Sequence, residues 1–307
     1  MSRCGLRVPV AAVLPLTADV PSLFEALSFS SPKALLESAR THPVTGRYSL
    51  LVGEPSLGLI ARTDEVELKT QTRAQVLRRE PFSILQELLE ARRAARLDGF
   101  PPFVGGAVGY FSYDAARMIE PLPSLAVDDL NLPLLEFLFC DEAVVVDHLE
   151  EKVWVIALAD PSGDSNRAYD QAVGRVERLV RRLTRVPVRP EFVEERTFMV
   201  SLSNHERSFH STHTRAEFEA MVRKVKEFIA AGEIYQANLS QRFALPLQED
   251  PWLLYRRLTQ INPSPFALFA DFGSLQIVSA SPERFLRVAG RQAETRPIAG
   301  TRPRDGP

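Results

Sequence analysis

The stretch Gly232-Glu-Ile-Tyr-Gln-Ala-Asn-Leu-Ser-Gln-Arg-Phe243 follows a predicted helix and forms most of a predicted long strand, Ile234 to Leu245. The helix is predicted from the capping box Thr214-Arg-Ala-Glu217, and Gly232 is a typical C-terminal cap. A second helix, opened by Asp250-Pro251, precedes several strands at hairpin spacing. This order predicts an α+β fold, in which packed, mostly antiparallel β-sheets are flanked by helices.

Upstream of this region, the pattern predicts a strand over Gly46–Gly53 and an amphipathic helix over Phe82–Arg96. The glycine-rich stretch Phe103–Asp114 favours a buried strand that another backbone approaches closely. A dinucleotide-binding loop is the weaker alternative, because its glycines do not form GxGxxG. The runs Phe137–Asp147 and Lys152–Leu158 are predicted to form a hairpin.

Residues 160–212 have the pattern of a connector. It contains a basic helix from about Arg167 to Arg185, whose arginines are predicted to form a solvated face, and a linker from Pro187 to His213. The histidines of this linker do not have the spacing of a zinc site. We therefore predict an N-terminal region over 1–160, a helix and linker over 161–213, and a C-terminal domain over 214–307. The end at Asp305-Gly306-Pro307 leaves an open sheet edge, and we expect that the C-terminal part of the fold is missing from this chain.

Composition excludes several classes of protein. The chain has 307 residues, 45% of them hydrophobic, and a net charge of −2, so nothing indicates nucleic-acid binding. Its two cysteines form no disulfide or metal pattern, which favours a reducing compartment. No secretory signal is expected, and the longest apolar run, Val153–Ala159, is too short to span a membrane. The sequence predicts a soluble, cytoplasmic protein.

Glu283 is the candidate titrating group, because it follows Pro282 on a short connection between two β-runs. The alternative is a surface carboxylate paired with Arg284 or Arg287. Gln236, Asn238, Ser240 and Arg242 alternate along the predicted strand and would share one face, which could also be a solvated edge. Gly300 and Thr301 offer backbone amides suited to a carboxylate. Together these features predict a pocket for a small, multiply anionic molecule.

The sequence resembles component I of the chorismate-utilising enzymes, the family of aminodeoxychorismate synthase and anthranilate synthase. The resemblance covers nearly the whole chain and rests on these motifs: Leu35-Leu-Glu-Ser38, Gly46-Arg-Tyr-Ser49, Gly105-Gly-Ala-Val-Gly-Tyr110, Asp147-His148, Asn262-Pro-Ser-Pro-Phe-Ala267, Ser279-Ala-Ser-Pro-Glu-Arg-Phe-Leu286 and Thr295-Arg-Pro-Ile-Ala-Gly-Thr-Arg-Pro-Arg304. It implies the component I fold, chorismate as substrate, and a separate glutamine amidotransferase subunit that supplies ammonia.

The resemblance also implies residue roles. Glu283 would be the acid/base group, and Gly300 and Thr301 would bind substrate. Gln236 would contact substrate where water-adding relatives have a lysine, so amination is favoured over hydration. Mg²⁺ is implied as cofactor; its ligands are expected beyond Pro307, so no metal ligand is predicted within this chain.

The motifs around Asn238, Phe266 and Arg284 are similar to those of aminodeoxychorismate synthases, which act in folate and 4-aminobenzoate biosynthesis. Ala299 departs from this pattern, because the best-known aminodeoxychorismate synthases have a nucleophilic lysine there. Because several separate motifs agree and only this one position departs, we expect an aminodeoxychorismate synthase component I. Two alternatives are an anthranilate synthase component I, which acts in tryptophan biosynthesis, and a catalytically incomplete fragment that binds tryptophan or chorismate.

A second site, for L-tryptophan as an effector or structural ligand, is expected where the two halves of the chain meet. The alternative is an ordinary core between sheets. Its predicted residues are Glu37, Ser38, Arg47, Tyr48, Pro265, Phe266 and Ala267.

Overall fold

The computed structural model describes residues 5–63, 65–125, 127–185, 210–298 and 300. Within these residues the chain forms two compact units, one of residues 5–185 with 252–300 and one of residues 210–251. The strands are β1 (Val8–Pro15), β2 (Lys33–Glu37), β3 (Tyr48–Gly53), β4 (Leu57–Ala61), β5 (Val66–Lys69), β6 (Ala74–Leu77), β7 (Gly106–Phe111), β8 (Leu135–Cys140), β9 (Glu142–Asp147), β10 (Lys152–Ala159), β11 (His210–Ser211), β12 (Phe243–Ala244), β13 (Phe266–Asp271), β14 (Gln276–Ser281), β15 (Arg287–Ala289) and β16 (Gln292–Glu294). The helices are α1 (Val20–Leu27), α2 (Pro81–Ala91), α3 (Ser165–Leu183), α4 (Arg215–Ala230) and α5 (Pro251–Ile261), with a 3₁₀ turn at Tyr113–Met118.

The first unit is built from two large antiparallel sheets. The larger has the order β1-β10-β9-β3-β2-β13-β14, and the smaller has the order β6-β5-β4-β8-β7. Strands β2 and β13 are neighbours, although more than two hundred residues separate them in the chain. The described strand pairs are antiparallel, which confirms the predicted α+β class.

Three cores hold these layers together. Apolar residues of both sheets, such as Val145 and Leu138, bury the face between them. The outer face of the larger sheet packs on α1, α3 and Tyr255 of α5, and α2 covers the outer face of the smaller sheet. Alternate residues of the central strands are thus buried on opposite faces, as expected for a sheet covered on both sides.

The predicted run Phe137–Asp147 is not one strand of a hairpin. It divides at Asp141 into β8, which belongs to the smaller sheet, and β9, which pairs with β10 in the larger sheet. The hairpin of β9 and β10 is confirmed. The corner between β8 and β9 links the two sheets by one continuous stretch of chain. Both halves of this stretch are apolar, so each can be buried in its own sheet.

The interpretation of residues 160–212 as a connector is wrong for α3. This helix packs on β10 and β1 and buries Val176, Leu179 and Leu183. Its arginine face is not simply solvated, since Arg178 and Arg182 bind Glu142 and Glu54. Most of the predicted linker lies outside the described residues.

The glycine-rich strand β7 confirms the predicted close approach. A Cβ on Gly109 would lie 2.1 Å from the backbone oxygen of Glu136 on the neighbouring β8. Burial is less complete than expected, because only Val108 of this strand is buried. The predicted helix over 82–96 is confirmed but ends at Ala91.

The second unit contains α4 and a two-stranded ladder of β11 and β12. The capping box is confirmed: the backbone N–H of Thr214 donates to Glu217 at 2.7 Å, and Gly232 has the positive φ of a C-terminal cap. The predicted long strand over 234–245 is wrong, because only Phe243–Ala244 is a strand. A strand requires hydrogen-bonding neighbours, and within the described residues the segment before it has no strand partner.

No helix in the described part of the chain is long and apolar enough to cross a bilayer.

Candidate functional site

The register of β2 and β13 brings the seven predicted pocket residues into one region. Glu37 lies opposite Ala267, and Ser38 and Pro265 follow and precede these strands. Tyr48 opens β3, which pairs with β2 on its other side. The predicted meeting of the two halves of the chain is therefore confirmed as geometry; the ligand remains a prediction.

Ser38 is the hydrogen-bonding centre of this region and is almost completely buried. Its hydroxyl donates to the carbonyl of Tyr48 at 2.8 Å and lies 3.5 Å from the carbonyl of Pro265. Its backbone N–H donates to the hydroxyl of Ser49 at 3.0 Å. These bonds hold the end of β2 against both β3 and the turn that begins β13.

The same turn is linked to the Ser-Pro-Glu motif. The Ser264 hydroxyl donates to the backbone carbonyl of Ser281, and the backbone N–H of Arg40 donates to the carbonyl of Ser264 at 3.2 Å. Ser281 in turn donates to the backbone carbonyl of Glu283 at 3.2 Å. Hydrogen bonds thus run from the end of β2 to the backbone of the candidate acid.

His148 is linked to Ser38 indirectly, by hydrogen bonds through Ser49. The Ser49 hydroxyl is fully buried and lies 2.8 Å from Nε2 of His148. Since the Ser49 oxygen already accepts from Ser38, its proton has a good acceptor when His148 is neutral and Nε2 is unprotonated. Burial lowers the pKa of His148, against the opposing charge of Asp147, and so favours the same neutral form.

The guanidinium group of Arg47 is bound by two neighbouring acidic side chains. It donates to both oxygens of Asp147, at 3.0 Å to Oδ1 and 2.6 Å to Oδ2, and to Glu150 at 3.2 Å. Burial alone would raise the pKa of Asp147, but the hydrogen bonds from Arg47 and from two backbone N–H groups outweigh it and lower the pKa. The guanidinium also lies over the Tyr48 ring, 4.9 Å from its centre. Arg47 therefore orients Tyr48.

Glu37 points towards α5, where the hydroxyl of Tyr255 lies 2.5 Å from its Oε2. Both residues are buried, and Tyr255 has no exposed surface. Burial raises the pKa of Glu37, against the hydrogen bond from Tyr255 and the charge of Arg256. Nothing in the sequence pattern pointed to Tyr255, since its contact with Glu37 depends on how α5 packs on the larger sheet.

Phe266 lies between the two candidate sites. The guanidinium of Arg284 covers its ring at 5.1 Å and also pairs with Glu294 at 3.2 Å. Among the described residues, Arg284 therefore binds Glu294 and not Glu283. Glu283 itself is half-buried.

The remaining predicted substrate residues are exposed or lie outside the described residues. Gly300 is exposed, with no atom within 4 Å of an added Cβ, and Gln236 is exposed in the second unit. Ala299 and Thr301 lie outside the described residues. The predicted strand face of Gln236, Asn238, Ser240 and Arg242 does not form, because no strand runs over 234–242.

The chain is similar to known proteins in both sequence and fold. The family model for chorismate binding enzymes matches residues 33–307. The chain is 34% identical to anthranilate synthase component 1 of Acetivibrio thermocellus and 32% identical to aminodeoxychorismate synthase component 1 of Bacillus subtilis, over 97% of its own length in both. It spans 60% and 61% of those two proteins. A crystal structure of anthranilate synthase component I from Streptococcus pneumoniae aligns with a TM-score of 0.61 at 27% identity, over 82% of this chain and 53% of that one.

Proposed function

Because the chain belongs to the family of chorismate-binding enzymes, we propose that this protein is a component I that aminates chorismate with ammonia from a glutamine amidotransferase subunit. The main support is the match over residues 33–307. The geometry adds that the strands carrying the Leu-Leu-Glu-Ser and Pro-Phe-Ala motifs are neighbours in one sheet. A cytoplasmic location follows from this proposal.

In the proposed chemistry, Glu283 protonates the hydroxyl that leaves C4 of chorismate while a nucleophile adds at C2. The C2–N bond forms when ammonia is the nucleophile, the C4–O bond breaks, and the hydroxyl departs as water with the proton of Glu283. Ammonia gives up a proton to complete the balance. Gly300 and Thr301 would bind near the substrate carboxylate, and Gln236, which cannot act as a base, would contact substrate without activating water.

We propose Mg²⁺ as cofactor, but the described residues do not form a site for it. Among them, no cluster of three or more His, Cys, Asp or Glu side chains could hold a metal ion. Ligands for magnesium would therefore come from outside the described residues, and no step above depends on the ion.

We propose 4-amino-4-deoxychorismate as the product. The support is the similarity of three separate segments, around Asn238, Phe266 and Arg284, to aminodeoxychorismate synthases. Since Ala299 provides no nucleophile, water or one ammonia would first add at C2. Ammonia would then form the C4–N bond while the C2–O or C2–N bond breaks, and the proton that this ammonia loses would leave with the departing water or ammonia. Anthranilate is the second candidate, favoured by Ala299 and by the anthranilate synthases among the relatives.

The test is to give the full-length protein chorismate, Mg²⁺ and ammonium, and to follow the products by mass spectrometry and fluorescence. We expect a product that becomes 4-aminobenzoate only after the lyase is added. Anthranilate formed without the lyase would refute the product assignment. A protein that binds chorismate without any turnover would instead support the incomplete binding protein.

We also propose that the region of Ser38, Tyr48, Pro265 and Phe266 binds L-tryptophan. The buried hydroxyl of Ser38 lies 3.5 Å from the carbonyl of Pro265, which directly precedes Phe266 in the chain, so a polar group and an aromatic residue belong to one region. Titration calorimetry should detect binding that the Ser38→Ala variant weakens. Absence of heat and of any thermal shift at millimolar tryptophan would show that this region is only a core between strands.

A further inference from the structure

A charged cavity lies against α3. Its volume is about 480 Å³, and it is bordered by Arg7, Asp141, Asp160, Gln171, Arg175 and Arg178. It opens where the end of β10 and the β8–β9 corner meet the middle of α3. None of the residues assigned above to chorismate or tryptophan borders it.

The acids around this cavity do not fully neutralise its arginines. Arg7 is paired with Asp141 and with Asp160, at 3.0 Å from the latter. Along α3, Arg175, Arg178 and Arg182 face two glutamates. Arg92 also pairs with Asp141, at 3.5 Å, so that in all five arginines face four carboxylates. Arg178 binds Glu142 at 2.8 Å, and Arg182 binds Glu54 at 2.9 Å.

Arg175 is the least neutralised of the three. Its Nη2 donates to a neutral acceptor, the carbonyl of Leu158, at 2.6 Å. Its nearest carboxylate is Glu142, 3.9 Å away and already bound by Arg178. About one positive charge is therefore in excess at the cavity wall.

Three arginines around the cavity each have one buried N–H donor without a partner among the described residues. The Nε–H groups of Arg7, Arg175 and Arg178 are shielded from solvent and have no hydrogen-bond partner in the described part of the chain. The rest of each guanidinium group is more accessible, since the side chains of Arg175 and Arg178 are 26% and 41% exposed and could reach a ligand in the cavity.

Gly174 supplies an independent observation. It stands in the interior of α3, where glycine costs about 1 kcal/mol relative to alanine. Packing does not require it, because an added Cβ would meet no atom within 4 Å. Gly174 does border the cavity, and a side chain there would reduce the available space.

We propose that this cavity binds a small anion bearing a carboxylate or phosphate group, with Arg175 and Arg178 as the principal cationic contacts. The planar fork of arginine suits both kinds of group. Gln171, one turn away from Arg175 on α3, would donate a further hydrogen bond. This site is separate from the proposed chorismate chemistry and does not depend on it.

Calorimetric titration of the full-length protein with inorganic phosphate and, separately, with malonate tests the proposal. We expect binding that is weakened at least about tenfold by Arg175→Gln, since a hydrogen bond to a charged group is lost. Gly174→Leu should also abolish it by filling the cavity, while preserving or increasing the stability of the helix. Tighter binding of phosphate would indicate a phosphorylated ligand, and tighter binding of malonate a carboxylate.

Arg181→Gln is the matched control, because Arg181 is an exposed arginine of the same helix that does not border the cavity. It removes the same charge and should leave binding within twofold. Circular dichroism would verify that each variant is folded. Binding of neither anion at 10 mM, or equal loss in Arg175→Gln and Arg181→Gln, would overturn the proposal.

Discussion

The most specific prediction concerns how Glu136 makes the stability of the protein depend on pH. It is 3% exposed, on β8 between the two sheets, and its Oε2 has no hydrogen-bond partner among the described residues. Its cross-strand neighbour Tyr110 also has a buried hydroxyl without a partner there. Burial raises the pKa of Glu136 to about 7, together with repulsion from Glu67 and against the charges of Arg62 and Lys69 and the nearby Tyr110 hydroxyl, which lower it.

The magnitude follows from linkage between protonation and folding. A rise from the ordinary 4.5 to about 7 corresponds to about 3 kcal/mol, at 1.36 kcal/mol for each pH unit. The folded protein holds this proton more tightly than the unfolded chain, so the stability falls as pH rises from about 4.5 to about 7. Above pH 7 the full cost of the buried carboxylate is present.

We therefore expect Glu136→Gln to stabilise the protein at pH 8 by up to about 3 kcal/mol and to change its stability little near pH 4.5. The amide keeps the shape of the side chain but carries no charge. Urea unfolding of both proteins between pH 4.5 and 8 measures the difference. Glu65→Gln, at an exposed position next to β5, is the control and should give a difference that varies much less with pH. A Glu136→Gln effect that is the same at all pH values would refute the reasoning.

Three further predictions follow from the site and the sheets. Gly109→Ala should destabilise the protein by about 1–3 kcal/mol in urea unfolding, because the new Cβ overlaps the Glu136 carbonyl, whereas Gly58→Ala in the same sheet meets only ordinary contacts and is the control. Glu283→Gln should reduce chorismate turnover by about two to four orders of magnitude with a smaller change in binding, and a variant that keeps a third of the normal rate would remove Glu283 from the mechanism. His148 has a lowered pKa in the folded protein, so its contribution to stability is lost as pH falls below about 6.5; His148→Gln should reduce this loss, and an unchanged pH profile would contradict the assigned neutral form.

Local features of the fold were predictable from the sequence because neighbouring residues encode them. The capping box at Thr214, the amphipathic helix α2 and the hairpin of β9 and β10 each depend on residues a few positions apart. The motifs around Ser38 and Glu283 likewise indicate the family from the sequence alone. Placing Pro265 beside Ser38 from sequence required the resemblance, since no local pattern encodes it.

Tertiary structure decided the features that depend on distant partners. The stretch 137–147 has one apolar pattern, but only packing assigns β8 and β9 to different sheets. From the sequence, the arginines of α3 are predicted to form a solvated face. The local pattern does not show the glutamates that bind them, because these come from β9 and the end of β3. The segment 234–242 has strand-forming residues but no strand neighbour among the described residues. The sequence by itself determined local structure and the family. Burial, strand order and charge pairing were decided only by the tertiary structure, because the contacts that stabilise them join segments far apart in the chain.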